Sequence, residues 1–254
     1  MNDKKSRYAR NYALKFALFS IFCALLTLTL IMLVFKLGDR GESPKNRPSD
    51  TETPSPAITV VLDAGHGGED GGAVGTTGIP EKTINLEICR LIADMLRSNG
   101  VNVIMTRNDD RLLYDPASDY HGRKKALDLA ARLKIARETE NSIFVSIHMN
   151  SFPQAKYSGL QVYYSKNDPR SKIIADTVQS AVKVQLQPAN TRMPKAAGSS
   201  IFLLDRLETP AVLIECGFLS NPEECASLSS PEYQRSLALV IFSSIMDYIS
   251  KNST

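Results

Sequence analysis

The sequence predicts an α/β protein: a single three-layer domain with a mostly parallel sheet and helices on both faces, preceded by an N-terminal transmembrane anchor. Three observations carry this. Apolar, β-branched runs such as Ile58–Leu62 and Ile143–Ile147 alternate with stretches of helical periodicity, the pattern of a parallel sheet covered on both faces. Two of these runs end at or just before a histidine and a third ends on Glu215, so polar groups gather at strand carboxyl ends, where open α/β sheets bind ligands. The first fifty residues are of a different composition from the rest.

That N-terminal part divides in three. Residues 1–15 form a basic flank with Lys4, Lys5, Arg7, Arg10 and Lys15. Residues 16–36 are the anchor, with no charge between Phe16 and Phe35; a helix of that length spans about 30 Å, a bilayer core. The basic flank orients the N-terminus to the cytoplasm and the remainder outside. A cleaved signal peptide competes with this reading, but its apolar region is normally about 7–15 residues and ends on small side chains. Residues 37–56 have the Pro, Ser, Thr and acidic composition of a disordered tether, which leaves 57–254 as the folded domain.

Composition narrows the function. A net charge of +3 over 254 residues is too near neutral for a nucleic-acid binder. With only three histidines, any histidine chemistry falls on very few positions. Of the four cysteines, Cys23 lies in the anchor and Cys89 in a helical pattern. Cys216 and Cys225 pair only if their Cα atoms come within about 7 Å, and all four read as unpaired small hydrophobes.

The folded domain opens with ITVVLDAGHGGEDGG, a strand (Thr59–Asp63) running into a glycine-lined turn that carries His66. Ile84, Ile88, Leu91, Ile92 and Met95 then mark a helix over Glu81–Asn99, with Pro80 before it and Gly100 after it. Val101–Met105 is a second strand, and Asn108–Gly122 an irregular segment long enough to be a binding loop. Arg123–Glu140 is a basic helix with Ala126, Leu127, Leu129, Ala130 and Leu133 inward. Strands follow at Ser142–Asn150 and, in alternating pattern, Gly159–Ser165; then come a helix over Pro169–Gln187 and a loop over Pro188–Ser199. Ile201–Leu204 is a short apolar segment, Pro210–Cys216 a buried strand ending in Glu215, and Pro231–Ser250 the closing helix.

His66, Glu81 and His148 form the two-histidine, one-carboxylate set that a catalytic zinc prefers, with one position left for water. Glu215 is then the second carboxylate, the general base that takes a proton from that water and returns it to the leaving amine. Each residue has a plainer explanation on its own. A strand-end histidine is commonly structural, Glu81 is a favourable first-turn carboxylate, and Glu215 could pair with an arginine. The coincidence of two of the three histidines and Glu215 at strand ends favours the joint reading. His121, in the irregular segment, is left as a surface or substrate-contacting residue.

The blocks VVLDAGHGGEDGGAVG, EKTINLEI, VIMTR, FVSIHMNS, GLQVYY and LIECGFLSNPEE, in this order, resemble the zinc-dependent N-acetylmuramoyl-L-alanine amidases of the Amidase_3 class. The resemblance runs from about Ile58 to Ile249. It implies one zinc ion on His66, Glu81 and His148, Glu215 as catalytic residue, and peptidoglycan as substrate, cut between the lactyl group of muramic acid and L-alanine. The short, anchored form without wall-binding repeats is similar to the spore-cortex amidases, as are VIMTRNDD and the run from Arg123. That implies removal of stem peptides as the first step to muramic-δ-lactam, and an accessory protein as a possible partner; vegetative cell separation is the alternative role. No inserted helix is expected between Asn150 and Gly159. Asp63 is the expected partner of a ligating imidazole, and Asn150, Arg123 and the Pro188–Ser199 loop are expected substrate contacts. Two rival readings are a cysteine amidase using Cys216 with His148, and a non-catalytic, membrane-tethered wall-binding protein.

Overall fold

The computed structural model describes residues 57–252, except 116 and 118–120, together with 25–27, 29 and 32. The chain divides into two compact units, 1–52 and 53–254. In the first, the described residues are helical and exposed, and the expected flank, anchor and tether otherwise lie outside the described residues. Among the described residues no helix is long and apolar enough to cross a membrane.

The second unit is an α/β domain whose elements run β1 (Thr59–Ala64), α1 (Glu81–Ser98), β2 (Asn102–Met105), α2 (Lys124–Glu138), β3 (Ser142–Asn150) and β4 (Gln161–Tyr164). Then follow α3 (Arg170–Gln185), β5 (Lys195–Ala196), α4 (Phe202–Arg206), β6 (Ala211–Phe218), α5 (Pro222–Leu228) and α6 (Pro231–Asn252). The sheet order is β2-β1-β3-β6-β4-β5. The four strands β2, β1, β3 and β6 are parallel, so their carboxyl ends share one edge. β4 runs antiparallel to β6 and carries β5 beside it, which makes the sheet mixed on that side.

Alternation along the central strands feeds two cores. Val60, Leu62, Ile143, Val145 and Ile214 pack on one face against Ile84 and Ile88 of α1, Ile174 of α3 and Ile241 of α6. Val61 and Phe144 point the other way, onto Leu133 and Ala136 of α2 and Leu203 of α4. Helices therefore cover both faces, as the βα alternation predicts.

Three expectations are corrected. The buried side of α2 is Asp128, Arg132, Leu133 and Ala136, whereas Ala126 and Ala130 are exposed. An apolar-only face was the wrong template, because α2 lies over the sheet edge that carries Asp63 and a buried carboxylate needs a cation. β4 buries Gln161 and Val162 together instead of alternating. β6 continues past Glu215 to Phe218. Two elements had no expectation: β5, within the predicted Pro188–Ser199 loop, and α5. The signal for α5 is Asn221-Pro222-Glu223-Glu224, where the Asn221 side chain accepts hydrogen bonds from the backbone N–H of Glu223 and Glu224 and Pro222 starts the helix. Cys89, Cys216 and Cys225 are free and buried, as read from the sequence.

A buried ion-pair network joins α2 and β1. Arg132 Nη1 donates to Asp63 Oδ1 at 2.6 Å, and Arg132 Nε donates to Asp128 Oδ2 at 2.8 Å. Thr106 and Ser146 each donate a hydroxyl hydrogen bond to Asp63 at 2.7 Å. Burial alone would raise the Asp63 pKa, but Arg132 and the two hydroxyls outweigh it and hold the carboxyl below its ordinary value. Replacing Arg132 by Met strands two buried carboxylates, and a loss of about 3–5 kcal/mol is expected. Urea unfolding of the variant measures it; a loss under 1 kcal/mol would show that the network does not hold α2 to the sheet.

Candidate active site

The turn after β1 is held from below by two arginines. The Ala64 carbonyl accepts from Arg107 Nε and Arg132 Nη1, both at 2.8 Å. The Gly65 carbonyl accepts from Arg107 Nη2 at 2.9 Å and Asn85 Nδ2 at 3.1 Å, and the His66 carbonyl from Arg132 Nη2 at 2.7 Å. Three successive backbone carbonyls are thus satisfied by buried cationic or amide donors, where no strand partner is left for them. His66 itself is left-handed, at φ 63°, a conformation that costs free energy in any residue but glycine. The clamp is what keeps it there.

His66, Glu81 and His148 converge. His66 Nε2 lies 3.3 Å and His148 Nδ1 3.0 Å from Glu81 Oε1, and one donor atom from each residue falls within 4.8 Å of the others. The two rings meet edge to face with centroids 5.0 Å apart. Glu81 is supported on all sides: Oε2 accepts from the Ala73 N–H at 3.0 Å, and Oε1 from the Met149 N–H at 3.0 Å and Asn85 Nδ2 at 3.3 Å. Burial would raise its pKa, but hydrogen bonds and charge from His148 and His66 dominate and hold the carboxyl far below the usual range. For His66 burial pulls the pKa down, and Glu81 with Asp70 reverses this and raises it.

Glu215 stands beside them on the next strand. It is the register partner of His148 across β3 and β6, so both side chains leave the same face of the sheet at the same level. Its Oε2 is shut off from solvent and has no hydrogen-bond partner among the described residues. Burial and the nearby Glu81 charge push its pKa up to about 7, with the two histidines opposing. A carboxylate in this state is a base matched to neutral pH and poorly satisfied by its own protein.

The other expected residues fare differently. Asp63 does not touch an imidazole; its oxygens are taken by Arg132, Thr106 and Ser146, so it acts on His66 only through the Arg132 clamp. The neighbour of His66 Nδ1 is Asp70 Oδ1 at 2.9 Å, in ion-pair contact. Asn150 lies two residues beyond His148 and pairs with Phe218 across a bulge. Arg123 is exposed at the N-terminal end of α2, and the cavity between the two histidines is lined instead by Lys125, Asp70, Leu129 and Leu203. His121 is exposed, with φ 41°. Cys216 is buried and burial raises its thiol pKa, the reverse of what a nucleophilic cysteine needs. Residues 151–158 are exposed, and 151–159 contain no helix.

Asp70, Asn85, Arg107 and Arg132 were missed. Asn85 follows Glu81 by one helical turn, which puts it on the same face and was readable. Arg107 and Arg132 reach the turn from 42 and 66 residues away along the chain, a proximity that no local pattern carries.

Residues 60–247 match the Amidase_3 family, described as N-acetylmuramoyl-L-alanine amidase. The chain belongs to this family. A germination-specific N-acetylmuramoyl-L-alanine amidase of Bacillus subtilis is 36% identical over 192 residues, 76% of this chain and 80% of that protein. Among solved structures, the CwlD amidase of Clostridioides difficile in complex with the GerS lipoprotein is 39% identical with a TM-score of 0.73, covering 76% of this chain and 99% of that one. The amidase AmiC2 of Nostoc punctiforme is 29% identical with a TM-score of 0.65, covering 76% and 97%.

Two glycines of this amidase are there because the turn presses against the site. A Cβ built on Gly65 falls 2.3 Å from the His148 ring, and one on Gly72, at φ 67°, falls 2.6 Å from Glu81 Oε2 and 2.9 Å from the His66 ring. Neither position has room for a methyl group. Gly65→Ala must displace His148 by an ångström or more. Amidase activity should fall about 100-fold while circular dichroism stays that of the native domain. Undiminished activity would mean that the His148 position is not required.

Proposed function

We propose that this amidase is a single-zinc hydrolase of peptidoglycan, with His66, Glu81 and His148 as metal ligands and Glu215 as general base. The observation that carries it is the meeting of three donor atoms within 4.8 Å beside a buried, unpartnered Glu215 oxygen. Two imidazoles and one carboxylate are the donor set of a catalytic zinc with one open position, so the residues fit the ion. When bound, zinc supplies Lewis-acid activation of water and of the scissile carbonyl.

The chain's own residues do the rest. Glu81, ionised and fixed by two backbone N–H groups, draws both imidazole nitrogens to one point. Glu215 takes a proton from the attacking water at its carboxylate and delivers it to the nitrogen of L-alanine as that amine leaves the lactyl carbonyl. A pKa of about 7 lets it do both near neutral pH. The products are a peptide-free muramic acid with its lactyl carboxylate and a stem peptide with a free L-alanine amino terminus. A complete donor set beside a general base favours catalysis over wall binding alone, which needs no proton transfer.

Residues 1–56 place this activity outside the cell in our reading: an anchor over 16–36, uncharged from Phe16 to Phe35 behind a basic flank, and a tether over 37–56. The likeness to a germination-specific amidase supports a role in spore cortex, as the first step to muramic-δ-lactam. The likeness to an amidase solved with a lipoprotein supports an accessory protein as partner.

Glu215→Gln tests the mechanism. The variant should retain zinc at the native stoichiometry, measured by atomic absorption, and lose about 100- to 10,000-fold in release of L-alanine amino termini from purified peptidoglycan. Near-native turnover would reassign the base. The cortex role has its own readout: mass spectrometry of cortex from a deletion strain should lack muramic-δ-lactam, and a normal content would favour vegetative cell separation.

A further inference from the structure

One strongly placed cation next to the site has no role in the chemistry above. Arg192 leaves the loop between α3 and β5, and that loop is pinned on both sides of it. Asn190, buried, donates to the Leu160 carbonyl at 2.9 Å and accepts the Arg192 N–H at 2.9 Å. One residue further on, the Met193 carbonyl accepts a hydrogen bond from Gln161, the register partner of Glu215 on β4. The guanidinium lies over the Phe218 ring at 4.6 Å from its centroid and donates through Nε to the Ser158 carbonyl at 2.8 Å. Among the described residues no carboxylate is in ion-pairing distance of it. Glu224, which lines the same cavity, has both oxygens occupied by the backbone N–H groups of Gly159 and Phe218, each at 2.8 Å. An arginine fixed in this way, lining a cavity of about 540 Å³ with no hydrogen bond from its Nη atoms among the described residues, is built for a carboxylate or phosphate.

The distance from the reacting bond narrows the choice. β3 passes from His148 to Asn150 while β6 passes from Glu215 to Phe218, so Phe218 lies about 7 Å further along the sheet than Glu215. Two residues of an extended peptide also span about 7 Å. We propose that Arg192 is a specificity residue that binds the free α-carboxylate of the stem peptide's second, isoglutamyl residue when the amide before L-alanine lies at Glu215. The Phe218 ring under the guanidinium and the Ser158 carbonyl on Nε hold it in place. This rests on the amidase reading above.

The test uses the full chain loaded with zinc and two disaccharide-peptides differing only at that carboxylate, one with D-isoglutamate and one with D-isoglutamine. The native amidase should prefer the acid about tenfold in kcat/KM, through KM, as expected for one charge-assisted hydrogen bond. Arg192→Gln should abolish the preference by losing activity on the acid substrate alone, and Arg192→Lys should keep part of it. Equal activity of the native chain on both substrates, or an equal loss on both in Arg192→Gln, overturns the proposal. Release of L-alanine termini from neither substrate would overturn the amidase reading instead, so the two failures are distinguishable.

Discussion

The buried pairing of Arg132 with Asp63 and Asp128 is the constraint on which the site depends. Asp63 ends the apolar part of β1, where a carboxylate would be expensive to bury without a cation. Arg132 answers that charge through Nη1, which also donates to the Ala64 carbonyl, and uses Nε on Asp128 and Nη2 on the His66 carbonyl. One guanidinium thereby ties α2 to the sheet and sets the backbone of the histidine. Stability and geometry share a single residue, so a change that relaxed the pair would also release the strained His66. Lysine could not replace it, because a single ammonium has no planar fork to span a carboxylate and two carbonyls.

Glu81 solves a second problem of the same kind. Three groups that collect at one point, two imidazoles and a carboxylate, would be poorly satisfied without an ion between them. The protein supports the carboxylate with the N–H groups of Ala73 and Met149, one from the turn after β1 and one from β3. These donors do not move with protonation, so the charge on Glu81 is fixed before anything binds. Glu215 has received the opposite treatment. It has burial, a like charge nearby and no backbone donor, and its pKa rises to about 7. Two glutamates near one pair of histidines are driven apart in acidity by their surroundings, which suits Glu81 to stay ionised and Glu215 to exchange a proton near neutral pH.

Much of this was legible in the sequence because it is written locally. β3 appears over Ser142–Asn150 as predicted, since Ile143, Phe144, Val145 and Ile147 make a short, mostly apolar run of strand length, and α1 begins on Glu81 directly after Pro80. The gathering of His66, His148 and Glu215 follows from strand order alone, as β1, β3 and β6 are neighbours with parallel carboxyl ends. The errors lie where a polar residue answers a distant one. The inner face of α2 was misjudged because periodicity counts apolar residues and cannot see that Arg132 is buried by Asp63. For the same reason Asp63 was assigned to an imidazole: a carboxylate three residues from a histidine suggests that partner, and the arginine that claims it comes 69 residues later.

The glycine-lined turn, the least specific part of the motif by itself, has a definite physical role. A phosphate-binding turn would direct its N–H groups outward at a ligand. Here Gly67 and Asp70 bond to each other across the turn, and the carbonyls of Ala64, Gly65 and His66 face inward to Arg107, Asn85 and Arg132. What remains on the outer side at Gly65 and Gly72 is the absence of a side chain, filled by the His148 ring and by Glu81. The glycines therefore serve the side chains and not a ligand. They let backbone from β1 come within contact of groups on α1 and β3, so that three elements distant in sequence place one nitrogen or oxygen each at a common point.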